Sequence, residues 1–473
     1  MRLVFGSTEG GLPNLEEGDR ARWIRMGFSS TMSGSTLHLG SQCFLVVDRL
    51  DHRGHGEARV AGDRRPVRMP ASAPGDSGRV EIVHTSPHRL VGRWLDRVPG
   101  SSHYEDPCPH RPACGGCVSW EVAPDALWAE KWRYTKERLG PLGDKLNAGS
   151  GPSPRGRWRT RHRVFVRRDQ ARIQFVVPTR EKEVSLEIDD CPIVPEPLQK
   201  RLQRLRNQLQ APALKSVTSI VLTLGSSQLP GLAPAGIGLR AKEPLPDDRP
   251  PVGQEGDAVS WLEANDSSRS HFGGLKAPVS YSGPECVGVM VGGTVLPTPP
   301  FAFVQVHPEG RRSLLNKVLE YVPSEPSWAL DAGCGTGLFA RSLVKRGWRV
   351  IAVDAGPGLL PAWQRLPQGI DFYAEDAGTY RWPSDPPLVI CDPPRAGMGK
   401  EWRDRLLAAK PRRAVLIHCG LKAAQRELHL LSENGYRCLA IEPIDLMPGT
   451  MQVELVSAWE RIDEEDCSLD GRR

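Results

Sequence analysis

Long apolar runs are missing from this chain. No stretch of its 473 residues approaches the roughly 18 apolar residues of a membrane-spanning helix. That argues against a helical membrane span and against a membrane partner. The opening stretch, MRLVFGSTEGGLPNLEEGDR, lacks the apolar core of a secretory signal, so a cytoplasmic protein is expected. In that compartment a disulfide framework among the 11 cysteines is not expected; the thiols are instead buried, reactive or metal-bound. Internal repeats are also missing. A strong net charge is missing too, at +6 overall, but the charge is unevenly spread. Residues 155–172, RGRWRTRHRVFVRRDQAR, hold eight arginines and one aspartate. This is a basic face of the kind that meets phosphate, with a solvated strand pair as the plain alternative.

The chain has the length of several domains, and 39% hydrophobic residues suffice for real cores. Residues 1–36 read as a weakly ordered extension. Residues 37–98 hold five short strand-like runs separated by Gly, Asp and Pro, a pattern that suits an all-β barrel of the OB kind. Residues 99–304 read as a mixed α+β central domain, with a helix near EPLQKRLQRLRNQLQ. From 305 to 460 strands and helices alternate, as in a doubly wound α/β domain. Residues 461–473 are an acidic tail.

The most readable segment is WALDAGCGTGLFARSLVKRGWRVIAVDAG. An apolar strand over 328–330 runs into Asp331; Gly333, Gly335 and Gly337 follow, then a helix, then a strand ending in Asp354. Glycines let the backbone approach a ligand closely, and an acid ending the second strand suits ribose hydroxyls. Dinucleotide enzymes share this geometry. The D-x-G-C-G-T-G form is more similar to S-adenosylmethionine-dependent methyltransferases, which would set Asp376 near the adenine; an ordinary loop acid is the plain alternative for Asp376.

Further on, LVICDPPRAGM carries Cys391 and Asp392 to the carboxyl end of a strand, where open α/β sheets place ligands. Asp-Pro-Pro there resembles the fourth motif of methyltransferases acting on bases. RRAVLIHCG ends at Cys419, and a last strand carries Glu454. Such residues suit one chemistry. The C5 of uracil is a poor nucleophile, and a thiolate adding to C6 turns it into an enolate carbon. A base must then take the C5 proton so that the thiolate can leave. Cys419 fits the nucleophile and Glu454 the base. The helix beginning after Cys419 is expected to favour a thiolate. Cys419 as a buried small hydrophobe is the plain alternative. Cys391 is the rival nucleophile, read here as a strand-end core residue.

With these motifs the sequence resembles the RNA (uracil-5-)-methyltransferases, most of all their iron–sulfur-containing 23S rRNA branch. The resemblance covers about residues 37–460 and includes a TRAM-type barrel signature, LDHRGHGEARVAG, at 50–62. It implies S-adenosyl-L-methionine as cofactor, Gln305 beside it, a DPPR turn at Asp392, Pro393, Pro394 and Arg395, and RNA as partner; a monomer is expected. Three cysteines, Cys108, Cys114 and Cys117, stand within ten residues, and Cys191 follows in DDCPIVP. By spacing alone, four thiolates suit zinc or an iron–sulfur cluster, zinc being commoner. The resemblance implies that the four ligate a 4Fe–4S cluster. Where the family reads Ser-Cys-Asn-Pro this chain has His418-Cys419-Gly420-Leu421. The expected function is uridine C5 methylation in RNA, with rRNA favoured over a tRNA T-loop. An RNA-binding relative that has lost methyl transfer is the other reading.

Overall fold

The structure is a computed structural model that describes residues 36–105, 108–169, 172–179, 185–226, 229–246, 250–263, 278–364 and 366–462. Of the expected extension over 1–36 and the expected tail over 461–473, residues 1–35 and 463–473 lie outside the described residues. The described residues fall into two compact units, one within Met1–Tyr134 and Met447–Met451, the other within Thr135–Leu446 and Gln452–Arg473.

The first unit contains a six-stranded sheet. Its strands run in the order Gln42–Val46, Ser77–Thr85, Leu90–Trp94, Val67–Met69, Gly56–Ala58, Arg49–Leu50. The two edge strands are joined by Val47 and Asp48 alone, and Asp48 N donates to the Glu57 carbonyl at 2.9 Å. One bent segment therefore pairs with both sides of the sheet, which closes on itself and leaves little open edge. The first of the five expected strand runs appears as two strands because of this bend. Inside lie Cys43, Leu45, Val67, Met69, Val80 and Ile82. Side chains of this size contribute about 1.5–3 kcal/mol each on burial. Burial pushes the Cys43 thiol up to about 11, so this cysteine behaves as a small apolar residue.

In the second unit a seven-stranded sheet is built around Val217–Leu224, with Ala235–Ala241 on one side and Arg161–Asp169 on the other. One face carries Ile220, Leu222, Ile237 and Leu239, all fully buried. The Glu196–Gln208 helix packs against this sheet, with Leu198, Leu202 and Leu205 buried at helical spacing on one stripe.

The other large sheet of this unit is α/β and largely parallel. Its order is Ile370–Tyr373, Arg349–Val353, Trp328–Ala332, Leu388–Cys391, Arg413–His418, Glu454–Arg461, Tyr436–Ile444, with the last two strands antiparallel to their neighbours. The order reverses direction between Trp328–Ala332 and Leu388–Cys391. Ligands of open α/β sheets bind outside the carboxyl ends of the strands at such a reversal. Leu388–Cys391 is buried throughout and wholly apolar up to its cysteine, as a strand covered on both faces must be. Among the described residues no helix is long and apolar enough to cross a membrane.

Candidate active site

Three acidic residues end adjacent strands at that reversal. Asp331 is fully buried. Its Oδ2 accepts from Ala340 N at 2.9 Å, in the Leu338–Val344 helix, while its Oδ1 has no partner among the described residues. Burial pushes its pKa up to about 8 against that hydrogen bond, and the charges of Asp392 and Asp354 add to the rise. Asp354 is half-buried; its Oδ2 accepts from Gly335 N at 2.9 Å and its Oδ1 from Gly356 N at 2.8 Å. Burial raises its pKa, and the charge of Asp376 adds to the effect. Burial pushes Asp392 up to about 7, with Asp354 adding.

Gly333, Gly335 and Gly337 all have positive φ. A Cβ on Gly333 would stand 2.6 Å from the Asp392 carbonyl oxygen, whereas one on Gly335 would meet nothing within 4 Å. The first glycine lets two loops touch; the second faces open space in which a ligand can lie against bare backbone. Trp363 and Arg341 also build this loop, and sequence reasoning did not single them out. Trp363 Nε1 donates to the Gly335 carbonyl at 2.9 Å, its ring stacks on Phe372 at 4.6 Å, and the Arg341 guanidinium lies 4.9 Å from it. No motif announces these residues, because each acts by packing. Asp376 is exposed and its Oδ1 accepts from Gly378 N at 2.8 Å, closing a turn. Gln305 is half-buried, and its carbonyl accepts from Arg311 Nη1 at 3.2 Å.

At the same edge, the last ladder pair of Arg413–His418 with Glu454–Arg461 is His418 opposite Leu455. One step further along this register sets Cys419 opposite Glu454. Cys419 is half-buried and Glu454 is buried. Burial pushes the Cys419 thiol up to about 12, and the charges of Glu454 and Asp392 raise it further while Arg395 opposes them. The expected thiolate at the start of the Leu421–Glu433 helix is therefore not the resting form. Loss of hydration and two nearby carboxylates outweigh the helix end. Burial also raises Glu454 well above the carboxylate range, with Asp392 adding and Arg395 opposing. Cys391 is fully buried and its thiol is raised strongly by burial.

His418 is buried, and its ring does not turn to Cys419. Its Nε2 lies 2.8 Å from Oε2 of the fully buried Glu427. Oε1 of the same carboxylate accepts from Met398 N at 2.8 Å and from Arg426 Nη2 at 2.5 Å. Glu427 thus ties the strand before Cys419 to the end of the turn that begins at Asp392.

The cysteine cluster is wound around Arg111, whose guanidinium pairs with Glu121 and donates to the Cys117 carbonyl at 2.9 Å. Cys108, Cys114 and Cys117 are half-buried in the first unit, and Cys191 is half-buried in the second. Among the described residues no three His, Cys, Asp or Glu side chains gather closely enough to hold a metal ion. The arrangement does not itself present a finished metal site.

The arginine-rich stretch is largely spent inside the protein. Arg161 donates to Thr223 Oγ1 at 2.6 Å and to the Pro300 and Phe301 carbonyls at 3.1 Å. Arg168 donates to the Val217 and Leu214 carbonyls at 2.7 and 2.9 Å, Arg172 pairs with Glu187, and Arg155 is buried. The basic face weighed against a solvated strand pair in the sequence is reduced to a few residues.

Comparison with known proteins places this geometry. Residues 330–385 match a methyltransferase-domain family. An uncharacterised RNA methyltransferase of Halalkalibacterium halodurans is 23% identical over 448 residues, 88% of this chain and 96% of that protein. A 23S rRNA (uracil(1939)-C(5))-methyltransferase of Alkalilimnicola ehrlichii is 26% identical over 446 residues, 88% of this chain and 96% of that protein. Over most of its length the chain is similar to RNA methyltransferases, a 23S rRNA (uracil-C(5))-methyltransferase among them. Among solved structures, Pyrococcus abyssi tRNA (uracil-54, C5)-methyltransferase in complex with S-adenosyl-L-homocysteine aligns with a TM-score of 0.66 at 23% identity, over 88% of this chain and 99% of that one. This structural likeness carries the fold.

Proposed function

We propose that this chain methylates C5 of a uridine in RNA. The observation that carries the reading is the juxtaposition of Cys419 and Glu454 one step beyond the last ladder pair, beside Asp392 at the sheet reversal. Asp331, Gly333, Gly335, Gly337, Asp354, Asp376, Asp392 and Gln305 are the residues that would hold S-adenosylmethionine. The unpartnered Asp331 Oδ1 and the open space at Gly335 fit such a guest, and three acids suit a cation. When bound, that cofactor supplies an electrophilic methyl group. The chain's own residues do the rest. Cys419 gives up its proton to solvent and its sulfur bonds to C6; the C5–C6 π electrons move into an enolate, whose C5 would bond to the methyl group supplied by the cofactor. Glu454 later takes the C5 proton, the double bond re-forms, and the C6–S bond breaks.

The target base must leave its stack to reach Cys419, so a loop or opened strand is the substrate form. Ribosomal RNA is favoured by the 23S rRNA methyltransferase relative, which matches along almost its whole length; a tRNA T-loop uridine is the alternative. The barrel within 37–98 is assigned as a TRAM-type RNA-binding domain. Residues 99–304 form the cysteine-bearing central domain and residues 305–460 the catalytic domain of a cytoplasmic monomer. A second reading, an RNA-binding relative without methyl transfer, is favoured by the changed neighbours His418 and Gly420 and by the protonated thiol. One assay separates them. Labelled methyl groups from S-adenosylmethionine are expected to enter cellular RNA as 5-methyluridine, mapped by mass spectrometry. No incorporation into any RNA supports the second reading.

Cys108, Cys114, Cys117 and Cys191 are further proposed to ligate a 4Fe–4S cluster. Support comes from their spacing and soft thiolate chemistry, and no step above depends on the cluster. Anaerobically purified protein is expected to be brown and to contain iron and acid-labile sulfide. Colourless protein with zinc would replace the cluster, and metal-free folded protein would remove both.

A further inference from the structure

Two arginines of the basic stretch are not consumed by the fold, and they flank an exposed aromatic ring. In the Arg161–Asp169 strand, residues 163, 165 and 167 point to one face. The other face carries Val164 and joins the buried side of the sheet, next to Ile220 and Leu222. On the outward face Phe165 is 37% exposed, and the Arg163 guanidinium lies 4.7 Å from its ring centroid. Arg163 forms no ion pair among the described residues. Arg167 is exposed and donates to neutral partners, Gln174 Oε1 at 2.6 Å and Ser185 Oγ at 3.1 Å, which leave its charge uncancelled. Across the sheet Phe165 is opposite Ser219, which is opposite Arg240. Arg240 lies 5.9 Å from the centre of the Phe301 ring, and the nearby Arg163 charge adds to the burial that lowers its pKa.

A small serine thus separates an open phenyl ring from a second arginine–aromatic pair. Burying apolar surface explains Val164 on the inner side, but not a phenylalanine left open between guanidiniums. Single-stranded RNA fits all of these features. A base has a π face for Phe165, and its flanking phosphates have charge for Arg163 and Arg167. An acidic protein segment would use the charges but not the ring.

We propose that Phe165, Arg163 and Arg167 form a platform on which one unpaired base of the RNA stacks, outside the cysteine–glutamate site. The proposal rests on the RNA reading above, and it narrows the RNA contact from a general basic face to a stacking position.

The test is fluorescence anisotropy of the full chain with a labelled single-stranded oligouridylate, over a series of salt concentrations. Phe165→Ala is expected to raise the Kd about tenfold or more with an unchanged salt slope. Phe165→Trp is expected to keep the affinity, which shows that the ring and not the fold is at issue. Arg163→Ala is expected to lower the slope of log Kd against log salt by roughly 0.7, one phosphate contact to a single strand. Wild-type binding that Phe165→Ala leaves untouched would overturn the platform while leaving the RNA reading standing. A wild-type chain that binds no RNA would overturn both.

Discussion

Cys419→Ala is expected to abolish methyl transfer, by about 10⁴-fold or more, and to leave no covalent RNA complex. Glu454→Gln is expected to behave differently, because the two residues are assigned to different steps. With a glutamine opposite Cys419, sulfur still adds to C6 and the methyl group still arrives, but the C5 proton stays. Elimination should slow by roughly 10²–10⁴-fold, the usual contribution of a positioned base. RNA should therefore accumulate as a denaturation-resistant adduct with the Glu454 variant alone, visible as a shifted band on a denaturing gel. The pH profile carries a second signature. Burial holds the Cys419 thiol up at about 12 and Glu454 well above the carboxylate range. The Cys419 thiol is protonated at neutral pH, and addition to C6 needs it deprotonated. The rate should thus rise with pH through neutrality, by about tenfold per unit when thiol ionisation limits it. A Cys419→Ala protein that still methylates RNA would overturn the assignment, and the buried Cys391 would be the next candidate.

Asp354→Ala is expected to weaken binding of S-adenosylmethionine by ~1–3 kcal/mol, the scale of a lost hydrogen bond to a charged group. In the protein both carboxylate oxygens already accept backbone amides, from Gly335 and Gly356. The substitution therefore removes the proposed ribose contact and also loosens the glycine loop that receives the ligand. Asp354→Asn, which keeps one acceptor oxygen, should lose less. Isothermal calorimetry measures both, and unchanged affinity in the alanine variant would remove Asp354 from the cofactor site.

The part of this site legible in the sequence is the part that local rules control. A strand that carries Asp331 at its carboxyl end, glycines that must take positive φ, and a second strand that runs into Asp354 follow from side-chain period and backbone sterics. What could not be read depends on partners distant in the chain. Arg161 and Arg168 look like phosphate binders in a one-dimensional sequence, yet their guanidiniums hold carbonyls at Pro300, Phe301, Val217 and Leu214. The thiol of Cys419 was expected to ionise at a helix start. The opposing carboxylates come from residues 392 and 454 and appear only once the sheet is assembled. Trp363 and Arg341 support the glycine loop through stacking that no spacing rule encodes.

Glu427 has a consequence for how the catalytic edge moves. One buried carboxylate holds His418, next to the nucleophile, and the Met398 amide, at the end of the Asp392 turn. If the His418 segment swings outward, the buried Oε2 loses its ring partner, and if the Met398 segment does, Oε1 keeps only Arg426; a lost buried partner costs about 1–3 kcal/mol. Opening one side thereby removes much of the reason for the other to stay closed. The nucleophile segment and the Asp-Pro-Pro turn then breathe as a single cooperative element, so an RNA strand that displaces either one loosens both together.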